Sequence, residues 1–133
     1  RWLLNNGGPE AYARAQTLGV LPPEYIAANP AEADAQIVRS AAGFKDPDVM
    51  NKRIDALLAF DSSPWLSKIA HASLVVWCDG DAVVPPHMSR ALADGLTGSA
   101  AKKTLALAGG GHFAPVIIPD AFCDGIMKFI QAH

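Results

Sequence analysis

Apolar residues recur along this chain at two spacings, and the change comes near residue 66. Before it, short runs broken by Pro and Gly carry helical periodicity. Gly8-Pro9 ahead of residues 10–16 puts Pro at the first position of a helix, which Gly19 is expected to end. Pro22-Pro23-Glu24-Tyr25-Ile26 starts a short second helix. Asn29-Pro30-Ala31-Glu32 combines a capping residue, a Pro and an early acid, and opens a helix to about Ala42, stopped by Gly43. Asp46-Pro47-Asp48 repeats the signature for a helix to about Phe60, with Val49, Met50, Ile54, Leu57 and Leu58 at helical spacing. Short amphipathic helices of this kind cover something rather than build a core of their own.

After residue 66 the pattern alternates between strand and helix. Ser73-Leu74-Val75-Val76-Trp77-Cys78 is a continuous apolar run, the mark of a strand buried on both faces of a parallel sheet. Asp79-Gly80-Asp81 reads as a turn, Pro85-Pro86 leads into a helix over about 87–96, and residues 103–107 form a second strand. Gly109-Gly110-Gly111-His112 is a loop. Pro119-Asp120 opens a last helix to about Ala132, with Phe122, Ile126, Phe129 and Ile130 on one face. The fold class is α/β: a helical segment, 1–66, followed by a βαβα segment, 67–133, with parallel strands and a right-handed crossover. Two parallel strands alone do not make a stable sheet. The strand at 73–78 would leave an apolar edge, so further strands must come from a longer chain or from another copy, and self-association is expected.

Composition narrows the function classes. The net charge of −2 and the scattered Lys and Arg give no footprint for nucleic acid or for an anionic membrane surface. No apolar run approaches a transmembrane span. The opening residues pass into Asn5-Asn6-Gly7-Gly8 too soon for a signal peptide, and a first residue that is Arg rather than Met points to residues upstream. Cys78 and Cys123 both lie in apolar contexts and are expected to be free buried thiols of a cytoplasmic protein. The four His lack metal-ligand spacing, and the glycines at 109–111 are followed by no phosphate-loop residues, so neither a metal nor another cofactor is expected.

Asp81 and His112 are the candidate catalytic residues. Functional groups gather at the carboxyl ends of parallel strands, and each of these residues lies just beyond such an end. A carboxylate accepting the imidazole N–H there would fix the tautomer and stabilise the imidazolium formed in acyl transfer. Asp79 is the rival for the acid role. His71 precedes the first strand, His87 starts a helix and is expected at the surface, and His133 is terminal. No G-x-S-x-G occurs, and Ser62, Ser63 and Ser99 lie on no strand-to-helix elbow. Cys78 reads as structural.

The run Leu74-Val-Val-Trp-Cys-Asp-Gly-Asp-Ala-Val-Val-Pro-Pro86 resembles the acid-bearing strand and loop of the α/β-hydrolases, and Gly110-Gly111-His112-Phe113 resembles their Gly-His-aromatic motif. The closing Pro119-Asp-Ala-Phe122 and final apolar helix fit as well. Cys78 departs from the pattern, standing where Gly is common. The resemblance implies that this chain is the C-terminal βαβα part of such a fold, with Asp81 as acid, His112 as base and a nucleophile upstream. It implies that residues 1–66 are a lid, and residues 7–28 are similar to the lid of the aminoacrylate hydrolases of pyrimidine utilisation. Trp2, Tyr12, Tyr25, Phe44, Met50 and Trp65 would then be candidates to line an apolar pocket for a small ester, lactone or aminoacrylate-like substrate. An upstream Asp nucleophile would instead imply a dehalogenase or epoxide hydrolase. A non-catalytic hydrolase-fold binding module would need neither Asp81 nor His112.

Overall fold

A computed structural model describes all 133 residues, Arg1–His133. They form two compact units, Arg1–Asp61 and Ser62–His133.

The first unit is helical: α1 (Trp2–Asn6), α2 (Gly8–Val20), α3 (Pro23–Ala28), α4 (Pro30–Ala42) and α5 (Pro47–Ala59). Helices α2 to α5 each carry Pro in the first turn, where its missing N–H costs nothing. Two expectations need correction. Gly19 does not end α2, which continues to Val20 and stops at Leu21. Leu21 precedes Pro22 and is extended, as the clash with a following proline ring requires. Asn29 occupies the cap position of α4 but its side chain makes no capping bond; its Nδ2 donates instead to the Tyr25 carbonyl at 3.1 Å and closes α3. Asp46 does cap α5, its carboxylate accepting from the Asp48 amide at 2.8 Å. Leu4, Ala13, Val20, Leu21 and Ala33 form a small buried set around α2, while no residue of α5 is buried and Leu57 and Leu58 stand exposed. The ion pairs Arg14–Glu10 and Arg39–Glu32 are exposed and contribute little.

The second unit is α/β: α6 (Ser63–Leu66), β1 (Ser73–Cys78), α7 (Pro86–Gly95), β2 (Lys102–Leu107), a 3-10 turn at Gly111–Phe113, α8 (Ala114–Ile117) and α9 (Pro119–Gln131). The strands pair in parallel, from Ser73 opposite Lys102 to Cys78 opposite Leu107. Period-two alternation sends their side chains to two cores. Val75 and Trp77 pack with Leu66, Ala93 and Leu96 on one face. Val76 and Cys78 pack with Leu105, Leu107, Ala114, Ile118 and Phe122 on the other. At the start of the strands the His71 carbonyl accepts from the Ser73 and Ser99 hydroxyls at 2.9 and 2.7 Å. Cys78 is buried, but Cys123 is exposed, a correction. It follows the inward-facing Phe122 by one residue, and a helix turns the next side chain away by about 100°. No helix is long and apolar enough to cross a membrane.

Candidate catalytic pair

Asp81 is placed by the turn that ends β1. The Asp79 amide makes the last sheet bond, to the Leu107 carbonyl at 2.9 Å. Gly80 then takes φ +77°, and the chain doubles back. One carboxylate oxygen of Asp81, Oδ1, accepts from the amides of Val83 at 2.9 Å and Val84 at 2.8 Å. This is an Asx-type turn, in which a short acid bonds the backbone two and three residues on. It fixes the carboxylate and leaves Oδ2 for another partner.

That partner is His112. Beyond β2 the chain passes through Gly109, Gly110 and Gly111, all at positive φ. At Gly110 a side chain would have no room: a Cβ would stand 2.9 Å from both the Ala114 Cα and the Ile118 side chain. This packed loop delivers the His112 imidazole, with Nδ1 3.1 Å from Asp81 Oδ2. The carboxylate is largely enclosed, with a side-chain exposure of 12%, and the imidazole is more open at 35%. Nδ1 donates to the carboxylate, so in the neutral ring Nε2 is the acceptor, the form that can take a proton from a hydroxyl.

Asp79 is exposed, and His112 bonds Asp81 and not Asp79. His87 is exposed at the start of α7. His71 lies at the opposite end of the sheet, as does Ser99. His133 donates from Nδ1 to the Phe129 carbonyl at 3.0 Å, its ring 4.5 Å from that of Phe129. Cys78 sits beside the pair, but burial first, then the Asp81 and Asp79 carboxylates, push its thiol up from the ordinary value, so it stays protonated and a poor nucleophile. No group of three or more His, Cys, Asp or Glu is placed to hold a metal ion.

Sequence reasoning missed the Val83 and Val84 amides, although an Asp followed by a loop before Pro85 is the usual signal for such a turn. Of the six aromatic and apolar pocket candidates, three converge within the helical unit. Tyr12 and Phe44 meet edge to face, with centroids 5.5 Å apart, and line a cavity of about 250 Å³ together with Met50. Trp2, Tyr25 and Trp65 lie outside it, and Trp2 and Trp65 are exposed.

No family model matches the chain. Relatives named "Putative carbamate hydrolase RutD" do. The one from Caulobacter segnis is 37% identical over 129 residues, covering 97% of this chain and 47% of the relative. That from Caulobacter sp. (strain K31) is 40% identical over 132 residues, covering 98% and 48%. That from Pseudomonas syringae pv. syringae is 38% identical over 132 residues, covering 98% and 49%. The chain thus spans about half the length of the curated relatives it matches. Over nearly all of its residues it is a homologue of these RutD proteins, members of the α/β-hydrolase family.

Proposed function

We propose that these residues belong to a serine hydrolase of small carbonyl compounds, with Asp81 and His112 as the acid and base of its triad and the nucleophile on a part of the protein outside them. The observation that carries this is the Asp81–His112 hydrogen bond at 3.1 Å, with the other carboxylate oxygen held by two amides. A pair so arranged does specific work. Nε2 takes the proton of a serine hydroxyl as its oxygen attacks the carbonyl. Asp81, ionised, stabilises the imidazolium. The same Nε2–H then protonates the leaving group, and the acyl-enzyme is hydrolysed by the reverse route. The relatives' name points to a carbamate as the substrate class, in which the leaving group is an amine or alcohol and proton donation to it is needed.

In this reading residues 67–133 carry the last two strands of the hydrolase core and the helical residues 1–66 are its lid. The small cavity lined by Tyr12, Phe44 and Met50 also carries Gln16, Ser40, Lys45 and Arg53, so it is a mixed recess rather than an apolar one.

The test is a chimera in which these 133 residues replace the matching stretch of the Caulobacter segnis relative. It should hydrolyse a small aryl carbamate. Asp81→Asn and His112→Ala should each lower kcat roughly 10³- to 10⁴-fold, while Asp79→Asn should leave it within about threefold. A folded chimera that stays fully active after His112→Ala refutes the assignment.

A further inference from the structure

In the helical unit Arg1 pairs with Asp55, Arg14 with Glu10 and Arg39 with Glu32. The remaining arginine, Arg53, holds no carboxylate. Its guanidinium has only the Met50 thioether beside it, with Nη1 3.9 Å from the sulfur. Lys45 likewise makes no ion pair. Both cations open onto the cavity of about 250 Å³ beside Tyr12 and Phe44, and no Asp or Glu lines it. Acids outnumber bases in the chain, 13 to 11, so a recess with two cations and no acid goes against the overall balance.

The other polar groups of the recess include a hydroxyl free to donate. Ser40 Oγ accepts from the Gln36 side-chain amide at 3.1 Å, which leaves its own O–H for another partner. Arg53 adds a planar fork that matches a carboxylate, and Lys45 a compact charge. The apolar part of the lining is the Phe44 ring, met edge to face by Tyr12, and the Met50 side chain. Sites for drug-sized ligands occupy roughly 300–1,000 Å³, so this smaller recess suits a small molecule. The helix beside it favours a single negative charge. Ser40 and Gly43 stand at the C-terminal end of α4, where the helix dipole is negative and opposes a doubly charged phosphate. Lys45 is not needed to close that helix end, because the Arg39 and Ala41 carbonyls accept from the Gly43 and Phe44 amides at 3.0 and 3.1 Å.

We propose that this recess binds a small monocarboxylate with a short apolar body. Arg53, Lys45 and the Ser40 hydroxyl hold the carboxylate, and Phe44 and Met50 face the apolar part. Neither Asp81 nor His112 takes part, so the inference goes beyond the proposed hydrolysis, and either can fail without the other.

Benzoate is the probe. It is titrated into the full chain at low salt, and binding is followed by calorimetry and by the Arg53 Nε–H and Met50 methyl resonances. The expected dissociation constant is on the order of 1 mM. Benzamide has the same shape without the charge and should bind at least about tenfold more weakly. Arg53→Gln and Lys45→Gln should each weaken benzoate binding about five- to tenfold, and added salt should weaken it too. Both side chains are exposed, so neither change threatens the fold. Lys52→Gln removes an exposed charge from α5 that does not line the recess, and should leave binding within about twofold. The proposal is overturned by equal affinity for benzamide, by an equal loss in Lys52→Gln, or by inorganic phosphate binding more tightly than benzoate. Benzoate that shifts resonances of Ser62–His133 and leaves those of Arg53 and Met50 in place, or that shifts none at about ten times the expected constant, overturns it as well.

Discussion

Gly110→Ala is the most direct way to ask whether the glycine loop holds His112 by packing or merely by flexibility. Gly109 and Gly110 share a left-handed backbone, φ +74° and +80°, and differ in their surroundings. A Cβ on Gly109 would meet nothing within 4 Å, whereas on Gly110 it would stand 2.9 Å from the Ala114 Cα and from two carbons of Ile118. Ile118 can shift, but the Ala114 backbone cannot move without dragging α8. An L-residue held in the left-handed region costs ~1–2 kcal/mol. Overpacking adds ~1–3 kcal/mol. Gly109→Ala should therefore lose about 1–2 kcal/mol and Gly110→Ala about 2–5 kcal/mol. The gain from a stiffer unfolded chain is common to both and cancels. Urea unfolding followed by tryptophan fluorescence measures the difference. The His112 Nδ1–H proton resonance reports whether the bond to Asp81 survives, and it should weaken or vanish only in Gly110→Ala. Equal losses in the two variants, or a Gly110→Ala protein with the resonance intact and a loss under about 1 kcal/mol, would refute the packing argument.

Three further outcomes are expected. Asp81→Asn should abolish the slowly exchanging His112 Nδ1–H signal while Asp79→Asn preserves it; loss in Asp79→Asn would move the acid role to that residue. The raised Cys78 thiol means that the unfolded chain ionises first as pH rises past the ordinary value of 9.0, so stability present below that value falls above it. Cys78→Ala should flatten this alkaline fall in a series of urea titrations, and an unchanged slope would contradict it. Alone in solution the chain should self-associate through β1, and Val76→Pro should reduce the apparent mass in light scattering; a monodisperse monomer would show that the open edge is tolerated.

The parts of the fold readable from sequence were those with a long enough signal. α4, α5 and α9 have a Pro-marked start and β1 an unbroken apolar run, and the structure places them within a residue or two. α1, α6 and α8, of four or five residues, are too short for any period to show. Gly19 misled because a glycine is tolerated inside a helix when the next stop is stronger, and here the stop is the Leu21-Pro22 step. Cys123 misled because apolar neighbours in sequence lie on different faces of a helix. The Asp81–His112 contact was legible because both residues follow neighbouring strands of one βαβ unit. The Val83 and Val84 donors were not, since an amide carries no letter of its own and its use depends on the turn.

The way Asp81 is held bears on how such a site can be assembled at all. All three hydrogen bonds of its carboxylate come from within Ser62–His133, and two come from its own loop. The geometry of the proposed acid and base is therefore set within this unit. A loop that bonds its own acid also spares the imidazole from choosing between two nearby carboxylates: Asp79 is left exposed, while Asp81 has one oxygen committed and one aimed. Preorganisation of this sort lowers the cost of catalysis, because the tautomer and orientation are settled before substrate arrives.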